Sequence, residues 1–268
     1  MRAPSETTAA TAARGTGRGG LALRRTALLV LLIAIWWAAS LAMPPYVLPS
    51  PARVAQRLVT LAESGDLFSN LFTTLWRVLA GFAVAVVIGV PGGILLGSNR
   101  TLGAFFEPVL PVMNTVSSAI WAIFAILWFG LSPLTPIFVV LMTALPLIIT
   151  NVWQGTQAVN AEYVELAQTL RFSRLKTLTK IYVPSILPYF FSGARLAFGF
   201  GWRVSLVAET LGASSGVGYR LRQASDLIQT DQVFAWTIAQ IAMMVVIEIG
   251  LLAPLERHLF RWRRDVRT

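Results

Sequence analysis

The chain has 268 residues, of which 56% are hydrophobic and only 13% charged, with 22 basic against 12 acidic side chains and a net charge of +10. Soluble domains carry about 25% charged residues, so this composition excludes an ordinary soluble fold. The basic residues gather at the two ends and in one loop, which excludes the continuous solvated stripe that nucleic acid needs. The chain reads as an all-α, polytopic integral membrane protein.

Charge-free length then sets the elements, because a spanning helix needs roughly 20 mainly apolar residues. Residues 1–25, rich in Ala, Thr, Gly and Arg, show no apolar periodicity and read as a disordered tail. A first span is expected at 26–43, closed by Pro44, Pro45, Pro49 and Pro51. Arg24–Arg25 before this run resembles a secretory signal, but the run is long for one, and removing it would leave five spans. Arg77 and Arg100 bracket a second span at 75–98. Residues 108–161 carry no charge at all, room for two spans at 108–130 and 134–157 with a turn at Gly130, Ser132 and Pro133. The fifth, at 188–212, contains Arg195, Arg203 and Glu209; the sixth, at 233–255, contains Glu248. The permease domain thus covers 26–262, and 263–268 form a short tail.

Six spans place both termini on one side. Arg2, Arg14, Arg18, Arg24 and Arg25 precede the first span. Arg171, Arg174, Lys176 and Lys180 lie in the loop at 158–187, and Arg257, Arg261, Arg263, Arg264 and Arg267 follow the sixth. The alternating loops are balanced: Arg53 and Arg57 face Glu63 and Asp66, and Arg220 and Arg222 face Asp226 and Asp231. The positive-inside rule therefore predicts cytoplasmic termini and a cytoplasmic 158–187 loop.

Catalytic chemistry finds no foothold. The two lysines stand outside any Gly-x-x-x-x-Gly-Lys-Ser/Thr pattern, so no phosphate loop is expected. The single histidine, His258, cannot build a metal or haem site, and cysteine is absent. No catalytic residue, no metal and no cofactor of its own is assigned. A carrier remains, or one part of a carrier.

The loop 158–187 is too patterned for a tether. Tyr163, Val164, Ala167 and Leu170, then Leu175, Leu178 and Ile181, recur at helical spacing with an interruption at 171–173, which predicts two short helices and a turn. Within it, Glu165-Leu166-Ala167, Arg171 and Ile181-Tyr182-Val183-Pro184 resemble the Glu-Ala-Ala loop of binding-protein-dependent ABC importer permeases. Glu165, Ala167, Ile181 and Pro184 fall in register with that pattern; Arg171 stands where the family carries Gly. Residues 75–82, 89–97, 126–130 and 208–213 resemble the sulfonate, taurine and nitrate permease subgroup, and pyrimidine-precursor permeases share much of the pattern. The resemblance covers about residues 50–262.

What the resemblance implies is a six-helix permease acting as a homodimer, with a second copy of the chain beside it in a bacterial inner membrane. Two ATP-binding subunits, which carry ATP and Mg, would grip the loop through Glu162, Glu165, Ala167, Arg171, Ile181 and Pro184. An extracytoplasmic binding protein would deliver a small, anionic solute such as a sulfonate, taurine or nitrate. Asn114, Ser117, Ser118 and Trp121, with Met113, form a helical stripe that is a candidate path lining, joined by Arg203 and Glu209. Arg203 is expected to face the bundle, either paired with Glu248 or held for substrate, because a lone guanidinium near mid-bilayer costs about 2.5–3.5 kcal/mol. Arg195 is expected to snorkel, Arg77 to neutralise Glu248 or a charge of the second copy, and Glu209 to tie span five to the 212–219 loop. The competing reading is a stand-alone proton-coupled carrier using Glu209 or Glu248.

Overall fold

A computed structural model describes residues 18–254 and 256. The termini beyond these, including the 263–268 tail and the first 17 residues, lie outside the described residues. Twelve α-helices, with no strand among the described residues, form the fold. They are α1 (Arg18–Ala42), α2 (Pro51–Glu63), α3 (Asp66–Ser98), α4 (Arg100–Phe106), α5 (Val109–Thr115) and α6 (Ser118–Phe129). There follow α7 (Leu134–Gln157), α8 (Ala161–Thr169), α9 (Arg174–Thr177), α10 (Val183–Gly212), α11 (Val217–Asp226) and α12 (Thr230–Ile247). Two π-helical segments, Leu178–Tyr182 and Glu248–Leu252, run into α10 and out of α12.

Local chemistry sets the breaks. The Ser50 side chain accepts from Arg53 N, and Pro51 opens α2 where its missing N–H costs nothing. Gly65 (φ +76°) joins α2 to α3, and Gly130 (φ +65°) ends α6. Asn99 accepts from the backbone N–H of Thr101 and Leu102 and so starts α4.

Among the described residues, three helices are long and apolar enough to cross a membrane: Asp66–Ser98, Leu134–Gln157 and Thr230–Leu252. The bent pair Arg100–Thr115 and Ser118–Phe129 adds a fourth. The 30-residue α10 carries three charges, and α1 contributes the apolar stretch Thr26–Ala42. With α1 and α10 counted beside these four, the arrangement is consistent with the six spans expected from the sequence.

Their bounds correct the expected ones. Residues 18–25 continue α1 rather than belonging to a disordered tail. The second span starts at Asp66, not 75, because Arg77 is neutralised inside the protein and does not mark an end. The third is not one helix over 108–130: its two parts meet at 91°. Ser117 is extended (φ −60°, ψ 142°) and its hydroxyl accepts from Ala119 N, which starts a new helix there. Pro146 and Pro188, by contrast, sit inside α7 and α10 without ending them, as neighbouring helices in a bundle permit.

Packing rests on small residues, as expected where lipid offers no hydrophobic drive between helices. Along α3, glycines meet α7 so closely that a Cβ on Gly93 would lie 2.7 Å from Val152 Cβ, and one on Gly97 2.4 Å from Thr156 Cβ. Ala85, Ala144, Ile148, Val152 and Ala197 fill the α3–α7–α10 seam, and Val78, Val140, Phe198, Trp202 and Ile247 continue it towards α12. One end of the bundle carries the α8–α9 hairpin; the far end carries α2, α11 and the 213–216 loop.

Candidate functional site

The hairpin is an ordered element. Asn160 Oδ1 accepts from Glu162 N (2.9 Å) at the start of α8. At its end Phe172 N donates to Ala167 O (2.9 Å) while Arg171 takes φ +52°, the six-to-one closure that follows a left-handed residue. The expected turn at 171–173 is therefore present, and Arg171 adopts the conformation that glycine adopts without strain. Ser173 Oγ then accepts from Lys176 N (3.3 Å), and Lys176 Nζ lies 4.0 Å from the Phe172 ring centroid. Ala167 is buried at 2% exposure and shares a cavity of about 370 Å³ with Ile181 and Pro184. Glu162, Glu165 and Arg171 are exposed. The motif thus splits into a buried Ala167 with the half-buried Ile181 and the exposed Pro184 beside it, and a displayed polar rim. Tyr163, Leu166, Leu170 and Leu175 are each more than half exposed, an apolar ridge displayed on the surface of the hairpin.

At the far end lies a fully buried ion pair. Arg77 Nη1 donates to Glu209 Oε1 (2.7 Å) and to Ser215 O (2.7 Å), and Nη2 donates to Ser215 Oγ (2.7 Å). Arg77 and Glu209 are 3% and 0% exposed. The other carboxylate oxygen, Oε2, accepts from Thr74 Oγ1 (2.8 Å) and Gly218 N (3.0 Å). Thr74 Oγ1 accepts from Val217 N (2.9 Å), and Asn70 Oδ1 from Gly216 N (3.0 Å). Three side chains so satisfy the free N–H groups at the start of α11, and a carboxylate at a helix N-terminus is favourable in itself. The penalty of burial is offset because the guanidinium makes three hydrogen bonds and both carboxylate oxygens are engaged.

This network corrects three expectations. Arg77 pairs with Glu209, not with Glu248. Glu209 lines no open path, since both its oxygens are engaged and no part of it is exposed; it does tie α10 to the 213–218 loop as anticipated. Glu248 is taken by Arg195, which also donates to Glu256 (2.8 Å), so Arg195 is held by two carboxylates rather than snorkelling alone. Asn70, Thr74 and Ser215 were not singled out from the sequence. The signal was there: 70, 74 and 77 share one helical face, visible once α3 is extended back to Asp66.

The candidate path residues fall into separate places. The 91° bend puts Asn114 on one helix and Ser118 and Trp121 on another, so the stripe at 113–121 is not continuous. Asn114 lines a cavity of about 1030 Å³ near the hairpin end, with Arg100, Glu107, Thr150 and Gln154. Ser117 is the cap of α6. Trp121 packs on Phe124 and Phe138 (centroids 6.3 and 6.2 Å). Arg203 does not face the bundle. It is exposed on α10 with Leu196, Phe200, Val207 and Leu211 on the same face. Its one polar or ring interaction among the described residues is with the Phe200 ring, 6.0 Å from Cζ to the centroid. The face of α10 opposite Arg203 is consumed by packing, which leaves the guanidinium outside.

Comparison with known proteins decides the family. The profile described as "Binding-protein-dependent transport system inner membrane component" matches residues 89–255. The chain belongs to this family. It is an ABC importer permease component of the sulfonate, taurine and nitrate group, a multi-pass inner-membrane protein and not an enzyme. A Bacillus subtilis permease protein named for aliphatic sulfonates transport is 32% identical over 82% of this chain and 79% of its own length. The taurine transport system permease protein of Escherichia coli is 28% identical over 89% of each chain. In fold, the permease resembles the solved inward-facing MetNI methionine ABC transporter, with a TM-score of 0.54 at 15% identity over 70% of this chain and 97% of that one.

Proposed function

We propose that this permease forms, with a second copy of itself, the membrane path of an importer for a small anionic solute. Both termini and the α8–α9 hairpin lie in the cytoplasm. Two ATP-binding subunits, holding ATP and Mg, receive the hairpin; a binding protein on the opposite side delivers solute to the α2–α11 end. The observation that carries the reading is the hairpin: its first helix is closed at both ends by Asn160 and the turn at Arg171, it is seated on the buried Ala167, and it displays apolar side chains with an exposed polar rim. Such an element moves as a rigid body and passes a displacement into α7 and α10, between which it is spliced. The charge excess of the 158–187 loop supports its cytoplasmic side. The sulfonate and taurine names of the relatives support the anionic solute.

The proton-carrier alternative requires a free intramembrane acid. Glu209 and Glu248 are both held by arginines, which favours the ATP-driven reading. The test is reconstitution with an ATP-binding subunit and a binding protein of this family in proteoliposomes. ATP-dependent accumulation of taurine or a short alkanesulfonate that requires the binding protein supports the proposal. Accumulation driven by a proton gradient, with no ATPase present, refutes it.

A further inference from the structure

Arg203 is the residue whose position is hardest to reconcile with a single copy of the chain. It lies nine residues before the end of α10, about 14 Å from it at 1.5 Å per residue. Its neighbours are anchored in the middle of the bundle. A Cβ on Gly201 would lie 3.1 Å from Val140 Cγ1, and Trp202 O accepts from Gln240 Nε2 (3.4 Å). Helical side chains lean towards the helix N-terminus, here the hairpin end. The guanidinium follows that lean, sitting over Phe200 one turn back. It therefore points deeper into the membrane, not out towards the nearer surface. It has no hydrogen bond or ion pair among the described residues, whereas Arg77 and Arg195 each have carboxylates. The apolar residues around it, Leu196, Phe200, Val207 and Leu211, are all exposed. A naked guanidinium facing lipid tails at this depth is costly, and a polar group there faces protein or a water-filled cavity.

We infer that this face of α10 meets the same face of a second copy, and that the two Arg203 guanidiniums, brought together across the two-fold axis, form the anion-selecting point of the solute path. The inference rests on the transport reading above and names the residue that sets its substrate class. In a two-fold interface a residue near the axis faces its own copy. Two like charges there repel unless an anion or water stands between them. The planar fork of arginine presents paired donors that match the oxygens of a sulfonate, carboxylate or nitrate. Recognition is thus by charge and oxygen geometry, not by the solute's apolar part.

The chain contains no cysteine, so a single Val207→Cys gives a clean reporter one turn from Arg203. In membranes holding the assembled importer, a short bifunctional thiol reagent should link two copies through Cys at 207. The same variant should react at least tenfold faster with an anionic sulfonatoethyl methanethiosulfonate than with its cationic trimethylammonioethyl analogue. Adding Arg203→Gln should bring that ratio to the value for a free thiol, and Arg203→Lys should keep most of it, with both variants eluting as the intact complex. Absence of the cross-link puts this face against lipid and overturns the inference. So does a cross-link without charge preference, or no reaction with either reagent in both nucleotide-free and ATP-trapped states. ATP-dependent uptake by the wild type is scored separately: its failure counts against the transport reading and leaves the thiol results standing.

Discussion

Replacing Glu209 by Gln removes one charge and leaves the volume at the centre of the far-end network almost unchanged. The amide oxygen can still accept from Thr74 or Gly218, but its NH₂ group now confronts donors, and Arg77 is left as a buried cation at 3% exposure. Breaking a buried pair by removing one partner costs about 3–5 kcal/mol. Arg77→Met should cost less, because Glu209 keeps Thr74 Oγ1 and Gly218 N. The double variant should be more stable than the sum of the singles implies, by roughly 1–3 kcal/mol, as expected for residues in one network. Intrinsic tryptophan fluorescence during heating of the purified permease reads the order of stabilities. Amide exchange at Gly216, Val217 and Gly218, whose N–H groups bond to Asn70, Thr74 and Glu209, should accelerate in Glu209→Gln. A melting point within a degree of wild type, or strict additivity in the double variant, refutes the view that this pair anchors α11.

Arg171→Gly should raise the melting point, because a non-glycine residue in the left-handed region costs roughly 1–2 kcal/mol, and should leave binding-protein-stimulated ATPase activity intact. Loss of complex on size exclusion would instead make the arginine side chain a docking contact. Ala167→Phe, at a site 2% exposed, should uncouple ATP hydrolysis from uptake while permease levels in the membrane persist, measured by comparing the two activities. Gly93→Val should abolish folded permease, since even a Cβ there falls 2.7 Å from Val152 Cβ, whereas Gly92→Ala meets Ile149 only at 3.8 Å and should be neutral; detergent-extracted yield distinguishes them. A reporter inserted near Gly65 should be active outside the cell and one fused after Thr268 inside, and the reverse pattern would overturn the orientation.

The membrane class, the all-α fold, the hairpin and its turn were all written in one-dimensional signals. Long charge-free runs report spans because every apolar residue there faces lipid or another helix. Helical spacing at 163–181 with a break at 171 reports the hairpin because its bonds close within a few residues. What sequence could not decide was which charge meets which. Arg77 and Glu209 are 132 residues apart, and only the antiparallel packing of α3 against α10 puts their ends together; counted along the chain, Arg77 looked like the edge of a span. Glu248 was offered to Arg77 and to Arg203, until the segment that continues α12 was laid beside Arg195. The bend at Ser117 was hidden because residues 108–130 are mainly apolar and free of charge throughout, while the break is a serine capping the next turn. Arg203 shows the limit most plainly. Its depth follows from counting residues, but the side of α10 it occupies follows from which face the glycines and alanines let α7 and α12 cover.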